Sequence, residues 1–288
     1  MFFQTYKNTM KTILRSRTAW LALLLIAAVL IVDMVSGHYG YYDFDLGELI
    51  YDTDPRYVLE YDIYRQNVLH NTACATVMLY ALPLFAVLST IVVLLRDLGD
   101  RYFEIEKAGN VRPIAYFSAR VLGIMTISII VALGATCFGV YGYVISRGGV
   151  SGYPFSAILA DAFPRILRYV GVMMVPILLA LVCATLCIGN IVRHSLLAAL
   201  VPLFYLVGNY LYTLMGSING WKPYFQYLSN SPDRLRWYLA ALDRPDPLAV
   251  MTAMGTSLTQ ALICIGITLG AAVLWSAVAV WRIRAREV

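Results

Sequence analysis

Side chains that could carry chemistry are few in this chain and far apart. The three histidines, His38, His70 and His194, are scattered, and none belongs to a His-Glu-x-x-His metal pattern. There is no Gly-x-Ser-x-Gly turn to present a nucleophile. There is also no Gly-x-x-x-x-Gly-Lys-Ser/Thr loop to cradle phosphates. The five cysteines, Cys74, Cys137, Cys183, Cys187 and Cys264, all fall inside apolar runs. An odd number with no zinc spacing to histidine reads as small, soft packing residues. We therefore expect no catalytic residue, no metal site and no cofactor held by this chain.

One stretch does concentrate charge. "RDLGDRYFEIEKAGNVRP", from Arg96 to Pro113, mixes both signs in a chain that is only 14% charged. Oily runs flank it on both sides. Taken as a helix from about residue 97 to 108, it sorts by face. Leu98, Tyr102 and Ile105 form an apolar stripe, and Asp97, Asp100, Arg101, Glu104 and Lys107 cover the opposite arc. Gly109 and Asn110 suit a C-terminal cap, and Pro113 closes the segment. Such a helix could rest on a bilayer. Mixed charge fits docking onto a soluble protein better, because membrane-surface helices favour Lys and Arg.

The elements that must hold this stretch are membrane spans. The chain has 288 residues, is 60% hydrophobic, and has a mean hydropathy of +0.70. Soluble domains sit at roughly 45–50% apolar. The expected fold is an all-α polytopic membrane protein forming one domain over 1–288. Six spans of about the length a bilayer needs lie near 18–35, 72–95, 118–145, 168–192, 195–215 and 258–281. They should be helical, because lipid cannot satisfy open backbone groups. Pro83, Pro176 and Pro202 should kink their spans. "NIVRHS", at 190–195, should be the tight turn between spans four and five.

Residues 2–17 place Phe3, Tyr6, Met10, Ile13 and Leu14 at helical spacing, with Lys7, Lys11 and Arg15 on another face. This reads as an amphipathic helix on the membrane surface touching anionic lipid; a plain basic flank is the simpler alternative. Lys and Arg placement puts both termini in the cytoplasm. The long segments 36–71 and 216–257 then face outside. The first is rich in tyrosine and acid, and both are expected to be partly helical caps or to shape an exit. Asp33, Arg120, Arg168, Arg193 and Arg282 lie near span ends, where they can snorkel or face water. Gly266 and Gly270 permit close helix approach, with a neighbour in the same chain favoured over a dimer seam. The basic residues sit beside spans rather than in one patch, so nucleic-acid binding is excluded.

Taken together, the basic N-terminal helix, six spans, the outer segment before the last span and "RDLGDRYFEIEKAGNVRPIAYFSARVLG" resemble a permease subunit of the ABC-2 type, the type V exporter fold. The resemblance implies a bacterial plasma-membrane protein that pairs with a second permease copy, as homo- or heterodimer. Each copy would dock on an ABC ATP-binding subunit, and ATP and Mg²⁺ would be bound there. Residues 97–108 would be the coupling helix, 2–17 the connecting helix, and the outer segment before span six a pair of re-entrant helices. The acidic segment 36–71 is longer than small members carry.

The expected activity is ATP-driven export of an amphipathic or hydrophobic cargo (peptide, drug or lipid-like). Tyr80, Phe85, Phe204, Tyr205 and Tyr210 are candidate path-lining residues. A non-transporting assembly or sensor component is one alternative. An ion-coupled secondary transporter is another, disfavoured by the lack of a deep Asp, Glu, Lys or His.

Overall fold

The structure is a computed structural model. It describes residues 2–36, 40–43, 48–51, 77–99, 112–146, 154–194, 197–200, 202–203, 235, 238–239, 241–242, 246–253 and 257–284. Almost all of them are helical. The helices are α1 (Phe2–Arg15), α2 (Arg17–Ser36), α3 (Leu82–Gly99), α4 (Pro113–Ser146), α5 (Phe155–Arg168), α6 (Val175–Val192), α7 (Pro247–Ala253) and α8 (Leu258–Arg284). Within the segment 36–71, the described residues 40–43 and 48–51 are strands rather than helix. Strands β1 (Gly40–Asp43) and β2 (Glu48–Tyr51) pair antiparallel, with Gly40 opposite Tyr51 and Asp43 opposite Glu48. Tyrosine and isoleucine favour a strand, and a period of two outweighs the weak helical pattern of so short a run.

Four helical stretches are long and apolar enough to cross a membrane: Val77–Leu98, Pro113–Gly142, Ser156–Val192 and Leu258–Arg284. The first apolar run is α2, which follows α1 after a bend of 62°. The turn is built locally. Ser16 N–H donates to the Ile13 carbonyl at 3.0 Å, and Ser16 Oγ accepts from Ala19 N–H at 3.4 Å as the cap of α2. Trp20 Nε1 donates to the Leu14 carbonyl at 2.8 Å across the corner. The span expected at 195–215 lies, but for a few residues, outside the described residues.

Two of the three span prolines act through widened turns. A π-helical turn, Val77–Ala81, leads into α3, where Pro83 lies in the first turn; another, Tyr169–Met174, joins α5 to α6 ahead of Pro176. Proline lacks an N–H and its ring displaces the carbonyl four residues back. Those carbonyls belong to Leu79 and Val172, both inside the π turns. The second turn makes α5 and α6 one continuous element, so this span begins well before the expected residue 168. At about 1.5 Å per residue, its 37 residues reach about 55 Å, longer than the ~30 Å hydrocarbon core. At its far end Arg193 adopts the left-handed conformation (φ 57°, ψ 27°), with its N–H on the Gly189 carbonyl. His194 then caps the restart, its Nδ1 accepting from Leu197 N–H at 3.4 Å.

Side-chain contacts fix which helix ends lie together. Asp97 of α3 meets Arg120 of α4, and Thr9 of α1 reaches the same arginine. Leu94 of α3 lies against Gly189 of α6 so closely that a Cβ there would approach it to 2.5 Å. Arg284 of α8 borders the same groove as Ile114 of α4. These contacts define one end of the bundle. Met34 of α2 packs on Gly142 of α4 at the other.

Helix α6 is deeply enclosed, with Ile177, Leu178, Leu181, Val182 and Leu186 all buried. Against it α8 presents small residues: Ala261, Cys264, Thr268, Ala272 and Ala279. Small side chains let two membrane helices approach closely. Gly266 and Gly270 lie on another face. A Cβ at either would meet nothing within 4 Å, so the expected neighbour within the chain is absent among the described residues. Cys183, Cys187 and Cys264 are buried, and Cys137 is half-buried.

Candidate functional site

The polar cluster of the bundle is built where α1, α3 and α4 meet. Arg120 is the single charged residue of the 34-residue helix α4, and it is 2% exposed. Its Nη2 lies 2.5 Å from Asp97 Oδ1, and its Nη1 donates to Thr9 Oγ1 at 2.8 Å. Tyr116, one turn earlier on α4, donates its hydroxyl to Asp97 Oδ2 at 2.7 Å, and the guanidinium sits 5.2 Å from the centre of its ring. Both carboxylate oxygens are therefore engaged. Thr9 Oγ1 in turn donates to the Thr5 carbonyl at 2.8 Å. Beside the cluster, Arg96 Nη1 donates to Thr12 Oγ1, and Tyr6 donates to Thr126 Oγ1 at 3.2 Å.

Each helix supplies its part for a local reason. In α1, Thr5, Thr9 and Ile13 recur one turn apart and form the buried stripe. Gly123 of α4 lets that stripe come close: a Cβ there would stand 2.8 Å from Thr9 Cβ and 3.2 Å from the Tyr6 carbonyl oxygen. Helix α3 does not stop at the apolar run but continues through Asp97 to Gly99.

Chemically, the cluster is a clamp. A guanidinium, a carboxylate and a phenol in charge-assisted hydrogen bonds hold three helices by side chains that packing keeps dry. It presents no nucleophile next to a base. Among the described residues, no group of three or more His, Cys, Asp or Glu side chains could hold a metal ion.

Three expectations change here. The sequence places Asp97 on the charged arc of a surface helix over 97–108. Its carboxylate is instead 9% exposed and committed to Arg120 and Tyr116, because α3 carries it back over α4. Arg120 does not snorkel or face water; Asp97 and Thr9 supply a better shell inside the bundle. Phe85 is 1% exposed among core side chains and lines no open path, whereas Tyr80 is half-buried in the π turn. Asp100, Arg101, Tyr102, Glu104, Ile105 and Lys107 lie outside the described residues, as do Phe204, Tyr205 and Tyr210.

Lys7, Lys11 and Arg15 share the exposed edge of α1. The apolar set expected to face lipid divides: Ile13 is buried in the bundle and Tyr6 is tied to α4, while Phe3 and Leu14 remain exposed. Arg168 is half-buried, Arg193 and Arg282 are exposed, and the Asp33 side chain lies outside the description.

Sequence reasoning missed Tyr116, Thr9, Thr12 and the role of Arg120. A signal was present. An arginine seven residues inside an apolar helix requires a partner, and a tyrosine one turn before it is positioned to share that partner. No protein-family model, curated protein or solved structure matches the chain.

Proposed function

We propose that this chain is the membrane-spanning permease subunit of an ATP-driven ABC exporter of the ABC-2 type. It moves an amphipathic or hydrophobic cargo outward on energy delivered by a separate ATP-binding subunit. The observation that carries this reading is the Asp97–Arg120–Tyr116 clamp with Thr9. It ties together the two helices that flank the charged segment 100–111 and adds α1 to them. A push on that segment would then move α1, α3 and α4 as one body.

Charge supports the orientation. Lys7, Lys11, Arg15, Arg96, Arg112, Arg193, Arg282 and Arg284 gather at the Arg120 end of the bundle, and Arg165 and Arg168 stand toward the other. The positive-inside rule makes the Arg120 end cytoplasmic.

Chain direction supports a further crossing. Helix α6 ends beside Leu94 at the Arg120 end, and α8 also finishes there, next to Ile114. The chain between them must therefore return to the opposite end before α8 begins, and 195–215 is apolar enough to do so.

The experiment is purification of the intact complex from its own membrane. Wild-type chain should carry an associated Mg²⁺-dependent ATPase. Glu104→Arg and Arg101→Glu should each lower the bound ATPase at least tenfold, with Lys7→Gln unchanged. Wild-type association in both charge reversals overturns the coupling role of the segment.

A further inference from the structure

A groove of about 940 Å³ runs along the outside of the bundle between α4, α6 and α8. Its floor is buried: Phe117, Cys183 and Ala272. Ser276 Oγ lies 3.3 Å from Cys183 Sγ there, and it donates to the Ala272 carbonyl. The walls, such as Leu122 and Val273, are apolar and exposed.

One end differs. Trp281 and Arg284 form the mouth, and Arg284 is the single charged residue lining the groove. Among the described residues it makes no ion pair. Exposed Arg112 lies two residues before Ile114, which lines the same end.

We propose that this groove is a binding site for one anionic phospholipid of the leaflet at the Arg120 end of the bundle. The acyl chains lie along Val273 and Leu122, and the phosphate meets Arg284. Length fits this occupant. From Leu269 to Arg284 the helix rises by about 22 Å, half of a bilayer measured with its headgroups (about 40–45 Å). Position fits as well, because tryptophan favours the headgroup level, where Trp281 stands. Charge selects the headgroup: among the described residues the mouth is lined by Arg284 and no carboxylate, and basic pockets between membrane helices recognise anionic headgroups. The inference does not depend on the transport reading. It needs only that the groove faces lipid.

Native mass spectrometry of the full chain in detergent, titrated with phosphatidylglycerol or with phosphatidylcholine of the same acyl chains, tests it. Wild type should retain one phosphatidylglycerol per chain about fivefold more tightly than phosphatidylcholine, the effect expected of one cation at a membrane surface. Arg284→Gln should erase that preference while leaving phosphatidylcholine binding in place. Ala277→Trp, which fills the groove, should lower retention of both lipids at least tenfold, and Leu24→Trp on the exposed face of α2 should change neither. Equal retention of both lipids by wild type would overturn the site, as would wild-type retention in Ala277→Trp or a preference that survives in Arg284→Gln. An Ala277→Trp chain that instead loses a second copy from its mass would assign the groove to a dimer contact and overturn it too.

Discussion

Arg120 has to be held. An arginine left unpaired on a membrane helix costs about 2.5–3.5 kcal/mol at the bilayer centre, and inside a protein the lone partner is no better off. Asp97, Tyr116 and Thr9 remove that cost together, and their contributions are therefore coupled. Arg120→Met takes the guanidinium from a buried carboxylate and should destabilise the chain by about 3–5 kcal/mol. Asp97→Asn removes the carboxylate that lies 2.5 Å from the guanidinium and should cost a similar amount. The double variant should recover most of the loss, because two neutral side chains replace a strained remainder. Unfolding in mixed micelles measures all three. Simple additivity of the two single changes would mean that the pair is not a unit. Thr9→Val, which keeps the shape and removes the acceptor, should cost about 1–3 kcal/mol, and Thr9→Ser should cost little.

At the scale of elements, the placement of α1 is what makes the clamp possible, and Gly123 sets how close it comes. Gly123→Val puts a branched side chain into the space of Thr9 Cβ and the Tyr6 carbonyl, and the backbone cannot yield as a side-chain tip would. The change should cost about 1–3 kcal/mol and expose α1 to protease. Gly266→Leu and Gly270→Leu on α8 meet open space and should stay within about 0.5 kcal/mol, which thermal unfolding can check. The contrast also marks how far sequence reading reaches. Apolar runs announce helices α3, α4, α6 and α8 because burial of a span depends on composition alone. The face each helix turns inward depends on its neighbours. The Thr5–Thr9–Ile13 stripe was hidden behind a more obvious apolar set. The true packing stripe of α8, Ala261 to Ala279, was hidden behind a glycine pair that faces away. Length was misread where a helix continues past its apolar part: α3 carries Asp97 over α4, and α5 extends α6 outward through a π turn.

At the scale of the molecule, the described helices have a direction, and direction constrains what joins them. Helices α2 and α4 leave the Arg120 end, whereas α3, α6 and α8 arrive there. Two arriving helices, α6 and α8, follow one another in sequence, so on the proposed reading the segment from 195 to 257 would cross an odd number of times. One crossing fits its apolar content; three would need about 60 apolar residues, which it does not have. On that reading both termini would share one side, that of the cationic residues of α1 and α8. Single cysteines introduced into a chain freed of its own five, then labelled with a membrane-impermeant maleimide in intact cells, decide the matter. Lys7→Cys, His194→Cys and Arg284→Cys should label only after the membrane is opened, and Ser156→Cys and Asp246→Cys should label without it. Labelling of positions 194 and 246 from the same side would remove the sixth crossing. It would also separate the cationic end of the bundle from the side on which an ATP-binding partner would have to stand.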